Sequence, residues 1–392
     1  MHAIKQNIYW TGYVDWDLRN FHGYETPIGS TYNAYLIVDE KPTLIDTVKH
    51  YGCEEMLGRI REIMDPAEIR YIISNHTEMD HSGSIDRMLS LCPNAEVVCS
   101  PKGAEGLKRH FKKDWPLKVV QSGDTLNIGK RTLQFLLMPM VHWPDSMATY
   151  SEQDRILFPN DAFGQHYASE KRFVDEVGVD IALSEAAKYY ANIVLPYGNQ
   201  VLKVLDAVSS LKVDMIGPSH GLIWREPEHI QKIVTSYQKW ASHTTDPRVV
   251  IVYDTMWHST ERMAQRLYTT LDRKGIPVKM MHLSQTHISD VVTDVMRSRV
   301  VCFGTPILNN RMLPTMAALL MYLKGLKPKD RTAFTFGSYG WATVGFKEFE
   351  ASIQDAGMRL TQEGAYVRFV PDESDLQAFD AVAERIQGAL GP

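Results

Sequence analysis

The stretch Tyr71-Ile72-Ile73-Ser74-Asn75-His76-Thr77-Glu78-Met79-Asp80-His81-Ser82-Gly83 carries a short apolar strand straight into four potential metal ligands within six residues. In an extended loop, alternation would point His76, Glu78 and Asp80 the same way. Working outward, three more candidates follow apolar runs: His142 after Leu136-Leu137-Met138-Pro139-Met140-Val141, Asp161 after Ile156-Leu157-Phe158-Pro159-Asn160, and His220 after Met215-Ile216-Gly217-Pro218-Ser219. All four ligand segments sit at strand exits, where a sandwich of sheets gathers its loops on one edge. One histidine after a strand is ordinarily a surface or core residue, and His110, His229, His243 and His282 read that way. The cluster is different. A packing explanation would have to account separately for His-x-Glu-x-Asp-His and for three further strand-end ligands, so a metal site is the better reading.

The chain around this site is long enough, at 392 residues, for two or three cores. With 44% hydrophobic and 23% charged residues it should fold throughout, without disordered or fibrous regions. A net charge of -5 lacks the basic excess that a phosphate backbone requires, so nucleic acid is not an expected partner. No apolar run approaches the roughly 18 to 20 residues that span a bilayer, so no membrane helix is expected. The N-terminus has no basic stretch followed by an apolar core, so a cytoplasmic location is expected. Cys53, Cys92, Cys99 and Cys302 show no Cys-x-x-Cys spacing, which excludes a Cys-ligated iron centre or zinc ribbon built by this chain alone.

A polar segment ending in proline, Ala241-Ser242-His243-Thr244-Thr245-Asp246-Pro247, separates two rhythms and sets the expected domains at 1–246 and 247–392. The first half is mixed. A hairpin-like pair, Tyr32 to Val38 and Thr43 to Asp46, precedes strands at Tyr71 to Ser74, Glu96 to Ser100, Thr132 to Leu137, Arg155 to Phe158 and Asp214 to Gly217, with helices between them. This reads as a two-sheet α/β sandwich. The second half alternates strictly between strand and helix, beginning with Arg248 to Tyr253, which predicts a five-stranded, parallel, doubly wound sheet. Such sheets bind ligands at the carboxyl ends of their strands.

Three loops at those ends are the cofactor candidates. The first strand enters Thr255-Met256-Trp257-His258-Ser259-Thr260, a hydroxyl-rich turn that opens a helix and suits a phosphate monoester, although Ser and Thr also serve as plain N-caps. The others are Gly304-Thr305-Pro306-Ile307-Leu308-Asn309-Asn310 and Gly337-Ser338-Tyr339-Gly340-Trp341-Ala342-Thr343. From these, Thr305, Pro306, Ile307, Asn309, Ser338, Tyr339, Gly340 and Trp341 combine close backbone approach, polar edges and aromatic cover, as a flat isoalloxazine ring needs. The domain resembles flavodoxin across its full length, which implies FMN. No Gly-x-Gly-x-x-Gly turn follows the first strand, which disfavours a nicotinamide site of Rossmann type.

The first half resembles the metallo-β-lactamase superfamily, an αββα sandwich whose hydrolases carry His-x-His-x-Asp-His and two zinc ions. Here Glu78 replaces the second histidine, which favours a harder, redox-active metal. Four neutral imidazoles with three carboxylates offset three of the four charges on two divalent ions, and one bridging hydroxide would complete neutrality. Carboxylate-rich histidine sites suit non-haem iron, though ligand type alone leaves zinc and manganese open.

The two halves together resemble the flavodiiron proteins over essentially the whole chain. Further matching segments are Gly29-Ser30-Thr31-Tyr32-Asn33-Ala34-Tyr35-Leu36, His142-Trp143-Pro144-Asp145-Ser146-Met147, Asp161-Ala162-Phe163-Gly164-Gln165-His166 and Pro218-Ser219-His220-Gly221. The resemblance implies that His76, Glu78 and His142 hold one iron and Asp80, His81 and His220 the other, with Asp161 bridging. It implies reduction of dioxygen to water, of nitric oxide to nitrous oxide, or both. Two ferrous ions and a reduced flavin together hold the four electrons that take dioxygen to two waters without releasing peroxide. His166, Tyr189 and Tyr190 become candidates for the surroundings of the irons. A head-to-tail homodimer or homotetramer is implied, with Trp341 and Trp143 as candidates to line the junction, and electrons from a separate rubredoxin or a reduced deazaflavin. Two alternatives stay open at this point: a dizinc hydrolase fused to a flavodoxin domain, and an electron carrier with a vestigial metal site.

Overall fold

The computed structural model describes residues 2–361 and 363–391. Every residue of the strand Tyr35–Ile37 is buried, because the strand is covered on both faces. Tyr35 and Ile37 point into the core between two sheets, whereas Leu36 points into a second core beneath helices. The same split repeats in the neighbouring strands, with Ile73 and Val98 facing the first core and Ile72 and Val97 the second. Short continuous apolar runs are therefore what this layer requires of its sequence.

The first sheet has seven strands in the order His2–Lys5, Ile8–Trp10, Tyr35–Ile37, Thr43–Ile45, Tyr71–Ser74, Glu96–Cys99 and Leu117–Val119. The second has five, in the order Thr125–Asn127, Thr132–Leu137, Met147–Ser151, Ile156–Phe158 and Met215–Ile216. In the second sheet Thr132–Leu137 and Ile156–Phe158 are each antiparallel to Met147–Ser151, and Met215–Ile216 is parallel to Ile156–Phe158. The chain thus leaves Leu137, Phe158 and Ile216 on one edge, and the loops to His142, Asp161 and His220 start there. The helices Cys53–Arg61 and Ile85–Leu91 supply Met56, Leu57, Ile60, Ile85 and Met88 to the second core.

The other body is a parallel sheet. Val278–His282, Asp246–Tyr253, Ser298–Gly304 and Thr332–Tyr339 lie in that order, and the fifth position is shared by Arg359–Leu360 and Ala365–Arg368, both paired to Thr332–Tyr339. This is the expected doubly wound arrangement, with the fifth strand split in two. The chain divides into two compact units, Met1–Tyr189 with Asn199–Gln238, and Tyr190–Gly198 with Lys239–Pro392. Residues 190–198 therefore pack with the second unit, where the Asn192 amide donates to the Ser289 carbonyl at 2.9 Å. Among the described residues, no helix is long and apolar enough to cross a membrane.

Candidate functional site

The ligand stretch does not remain extended. Glu78 caps a one-turn helix, Met79–Ser82, held by Ser82 Oγ donating to the carbonyls of Thr77 (2.7 Å) and Glu78 (3.0 Å). Helical rotation sends Asp80 away from His76 and Glu78, so the expected alternation fails at Met79 for this local reason. Two groups result: His76, His142 and Asp161, and Asp80, His81 and His220, with candidate ligand atoms within 4.8 Å of one another in each.

Asp161 stands between them. Its Oδ2 lies 3.2 Å from His142 Nε2 and 3.7 Å from His76 Nε2, while its Oδ1 lies 3.1 Å from His81 Nε2 and 3.4 Å from His220 Nε2. Glu78 Oε2 closes the first group at 3.4 Å from His76 and 3.5 Å from His142. Asp80 Oδ2 closes the second at 3.3 Å from His81 and 3.2 Å from His220. All four histidines thus turn Nε2 inward.

These short approaches are not a satisfied hydrogen-bond network. Both carboxylate oxygens of Asp80, both ring nitrogens of His81 and Oδ2 of Asp161 are buried without a hydrogen-bond partner. Orphaned polar atoms are rare in protein interiors, and three of these, Asp80 Oδ2, His81 Nε2 and Asp161 Oδ2, face other candidate ligand atoms across the two groups. That is the disposition of a donor set for two cations, and the residues fit such ions. Electrostatics agrees. Burial opposes charging of His220, yet Asp161 and Asp80 push it up to about 10. Burial would raise Asp161, but His81, His142 and His220 hold it well below the usual carboxylate range.

Two outer contacts fix the tautomers. His76 Nδ1 donates to Asp145 Oδ2 at 2.9 Å, and the same oxygen accepts from Thr77 N (2.7 Å) and Thr77 Oγ1 (2.9 Å). His220 Nδ1 donates to the Thr31 carbonyl at 2.7 Å. Asp46 ties two ligand loops together, accepting from Asn75 N (2.8 Å), Asn75 Nδ2 (3.1 Å) and Asn160 Nδ2 (3.2 Å).

In the second unit a cavity of about 550 Å³ opens at the carboxyl ends of the parallel strands. Met256, Trp257, Ser259, Pro306, Ile307, Asn309, Ser338, Tyr339, Gly340 and Trp341 line it. Trp257 and Trp341 are each 86% exposed, leaving two large apolar faces at the cavity wall. A Cβ at Gly337 would sit 1.9 Å from the Thr305 carbonyl oxygen, so glycine is what lets these two loops close up. Thr255, just before the helix Ser259–Arg273, has a buried Oγ1 without a partner. An orphaned hydroxyl beside a helix N-terminus fits a phosphate, and the cavity's mixture of polar edges and apolar faces fits a flat heteroaromatic ring. Thr255, His258, Thr260 and Thr305 do not line the cavity. Thr260 Oγ1 lies 3.4 Å from Ser338 Oγ, Thr305 Oγ1 donates to the Pro306 carbonyl and accepts from Leu313 N, and His258 turns to Glu261 at 2.6 Å.

Comparison with known proteins decides the family. Residues 31–221 match the model of the ODP family beta lactamase, and residues 251–380 match flavodoxin. The chain is 43% identical to the nitric oxide reductase of Moorella thermoacetica over 99% of this chain and 98% of that protein. It superposes on the rubredoxin oxygen:oxidoreductase of Desulfovibrio gigas with a TM-score of 0.96, at 37% identity over 99% and 98% of the two chains. The flavodiiron protein from Giardia intestinalis superposes with a TM-score of 0.97, at 34% identity over 99% and 96%. The chain belongs to the flavodiiron proteins.

Sequence reading did not find every residue that shapes this flavodiiron protein's sites. It gives no role to Asp145, Thr31 or Asp46, although Asp145 stands three residues after a ligand candidate, where an orienting carboxylate is a reasonable thing to seek. Leu308, Asn310, Ala342, Phe369 and Val370 also line the cavity. Of the surrounding candidates, His166 Nδ1 lies 2.8 Å from Ser30 Oγ, and its ring is 4.7 Å from His220 and 5.1 Å from Tyr189. Burial, with the neighbouring His220, holds the His166 imidazole well below its ordinary range. Tyr190 belongs to the other unit and packs on Trp240 at 5.3 Å.

Asp145→Asn is expected to weaken metal retention roughly 10- to 100-fold. The amide would present N–H groups to donors that need an acceptor, loosening His76. Metal content after dialysis against graded chelator would check this, with flavin content unchanged.

Proposed function

We propose that this chain reduces dioxygen to water, nitric oxide to nitrous oxide, or both, at a non-haem diiron centre held by His76, Glu78, Asp80, His81, His142, Asp161 and His220. The observation that carries the reading is Asp161, whose two oxygens each face one group of histidines. When bound, the irons would hold and polarise the diatomic, and FMN would store the electrons that refill them. The protein's own part is to fix the donors. Asp145 and the Thr31 carbonyl hold His76 and His220 with Nε2 presented inward, and burial keeps water from competing for the carboxylates. The fold is read as a diiron domain over 1–246 and an FMN domain over 247–392.

FMN would take its phosphate at Thr255 and Ser259 and lie along Pro306, Ile307, Asn309, Ser338, Tyr339 and Gly340, with Met256, Trp257 and Trp341 beside it. His258, Thr260 and Thr305 would support those loops from behind. The name of the Desulfovibrio gigas relative supports a rubredoxin as electron donor, with a reduced deazaflavin as the other candidate. The active assembly would be a head-to-tail homodimer or homotetramer, working in the cytoplasm.

The test is consumption of dioxygen and of nitric oxide by iron- and FMN-loaded protein supplied with reduced rubredoxin. Turnover of at least one diatomic, giving water without peroxide or giving nitrous oxide, is expected. Failure with both gases in fully loaded protein would overturn the reading.

A further inference from the structure

Away from both sites, a cleft of about 570 Å³ opens in the first unit against Trp10. Arg172 lies along it, 4% exposed, with its guanidinium 4.3 Å from the Trp10 ring centroid. It donates to the Ser169 carbonyl but leaves Nε and Nη1 without an acceptor. Among the described residues no carboxylate pairs with it, and burial lowers its pKa to about 10. The nearby Glu176 carboxylate favours the charge only at a distance, its Oε2 being taken by the backbone N–H groups of Arg172 and Phe173 at 3.1 Å each. A buried cation with unused donors and no direct ion pair is costly, so the arrangement calls for an acceptor from outside the chain.

The surroundings narrow what that acceptor is. Arg59 also lies over Trp10, at 5.1 Å, but it is already paired with Glu55 and donates to the Gly12 carbonyl. Tyr13 and the half-exposed Trp16 line the same cleft and offer flat apolar surface. Asp17, Glu55 and Glu170 also line it and are exposed, so they would repel a multiply charged anion such as a nucleotide polyphosphate. We propose that this cleft binds a small monocarboxylate with a flat apolar body, its carboxylate taken by Arg172 and its body lying against Tyr13 and Trp16. Turning the guanidinium toward the cleft gives its unused donors their acceptor.

The cleft is also joined to the metal loops. Trp10 Nε1 donates to Asn33 Oδ1 at 2.8 Å, and Asn33 Nδ2 donates to the carbonyls of Pro218 (2.8 Å) and Gly221 (3.0 Å), which flank His220. Trp10, a wall of the cleft, is thus linked through Asn33 to the loop that carries His220.

Calorimetric titration of the isolated full-length protein with sodium benzoate, at constant ionic strength, tests the site directly, with inorganic phosphate as the comparison anion. Saturable binding of one benzoate per chain is expected, weakened at least about tenfold by Arg172→Met and less by Arg172→Lys, with phosphate binding far more weakly. Three results would overturn the proposal: no saturable benzoate binding, phosphate bound as tightly as benzoate, or benzoate affinity unchanged in Arg172→Met. If Arg172→Met does not fold, Trp16→Ala decides instead. A several-fold loss of benzoate affinity supports the site, and no change removes it.

Discussion

Asp161→Ala is expected to strip metal from both positions and to reduce diatomic turnover to background, while the flavin stays bound. Its two oxygens are the atoms that approach both histidine groups, at 3.1 and 3.4 Å on one side and 3.2 and 3.7 Å on the other. Asp161 is buried, and removing a carboxylate from such a set leaves positive charge uncompensated in a dry interior. That loss is worth about 3–5 kcal/mol, or roughly 10²- to 10⁴-fold in metal affinity. Glu78→Ala should be milder in metal content, because Glu78 approaches the first group alone, yet equally severe in turnover if both metals are needed. Metal analysis, flavin absorbance and gas consumption on the same preparation would check all three statements. Unchanged turnover in both variants would remove the diiron reading.

The second large effect is on the flavin. Replacing Thr255 and Ser259 together by Ala should cost two hydroxyls at the proposed phosphate seat, one of them a buried oxygen with no partner in the protein. A hydrogen bond to a charged group contributes about 1.5–3 kcal/mol, so the pair should weaken FMN binding by roughly 10²- to 10⁴-fold. The helix N-terminus and the cavity walls remain, so folding should survive. Flavin released on dialysis, with metal content intact, is the expected outcome. Full flavin retention would show that the phosphate lies elsewhere.

Much of this was legible in the sequence because the decisive residues sit where strands end. Tyr71 to Ser74 is too apolar and too short to be anything but a buried strand, and the ligands begin two residues later. The parallel sheet was legible for the same reason: Val249 to Tyr253 is a β-branched run whose every residue is buried. What stayed hidden was hydrogen bonding at a distance. Nothing local distinguishes Asp46 from an aspartate closing a turn, since its role is set by Asn75 and Asn160, which the fold brings to it. Asp145 is similar, being defined by three donors from His76 and Thr77. The opening strands His2–Lys5 and Ile8–Trp10 were missed because they are short and carry polar or aromatic residues, and their strand character comes from pairing with each other and with Tyr35–Ile37. The turn to helix at Met79 was also hidden, because it depends on Ser82 bonding back to Thr77 and Glu78.

The most direct test of the central claim is metal and flavin content per chain, on protein produced with adequate iron and kept anaerobic. Two irons and one FMN are predicted. Two zincs under the same conditions would contradict the redox centre and restore the hydrolase reading of the first unit.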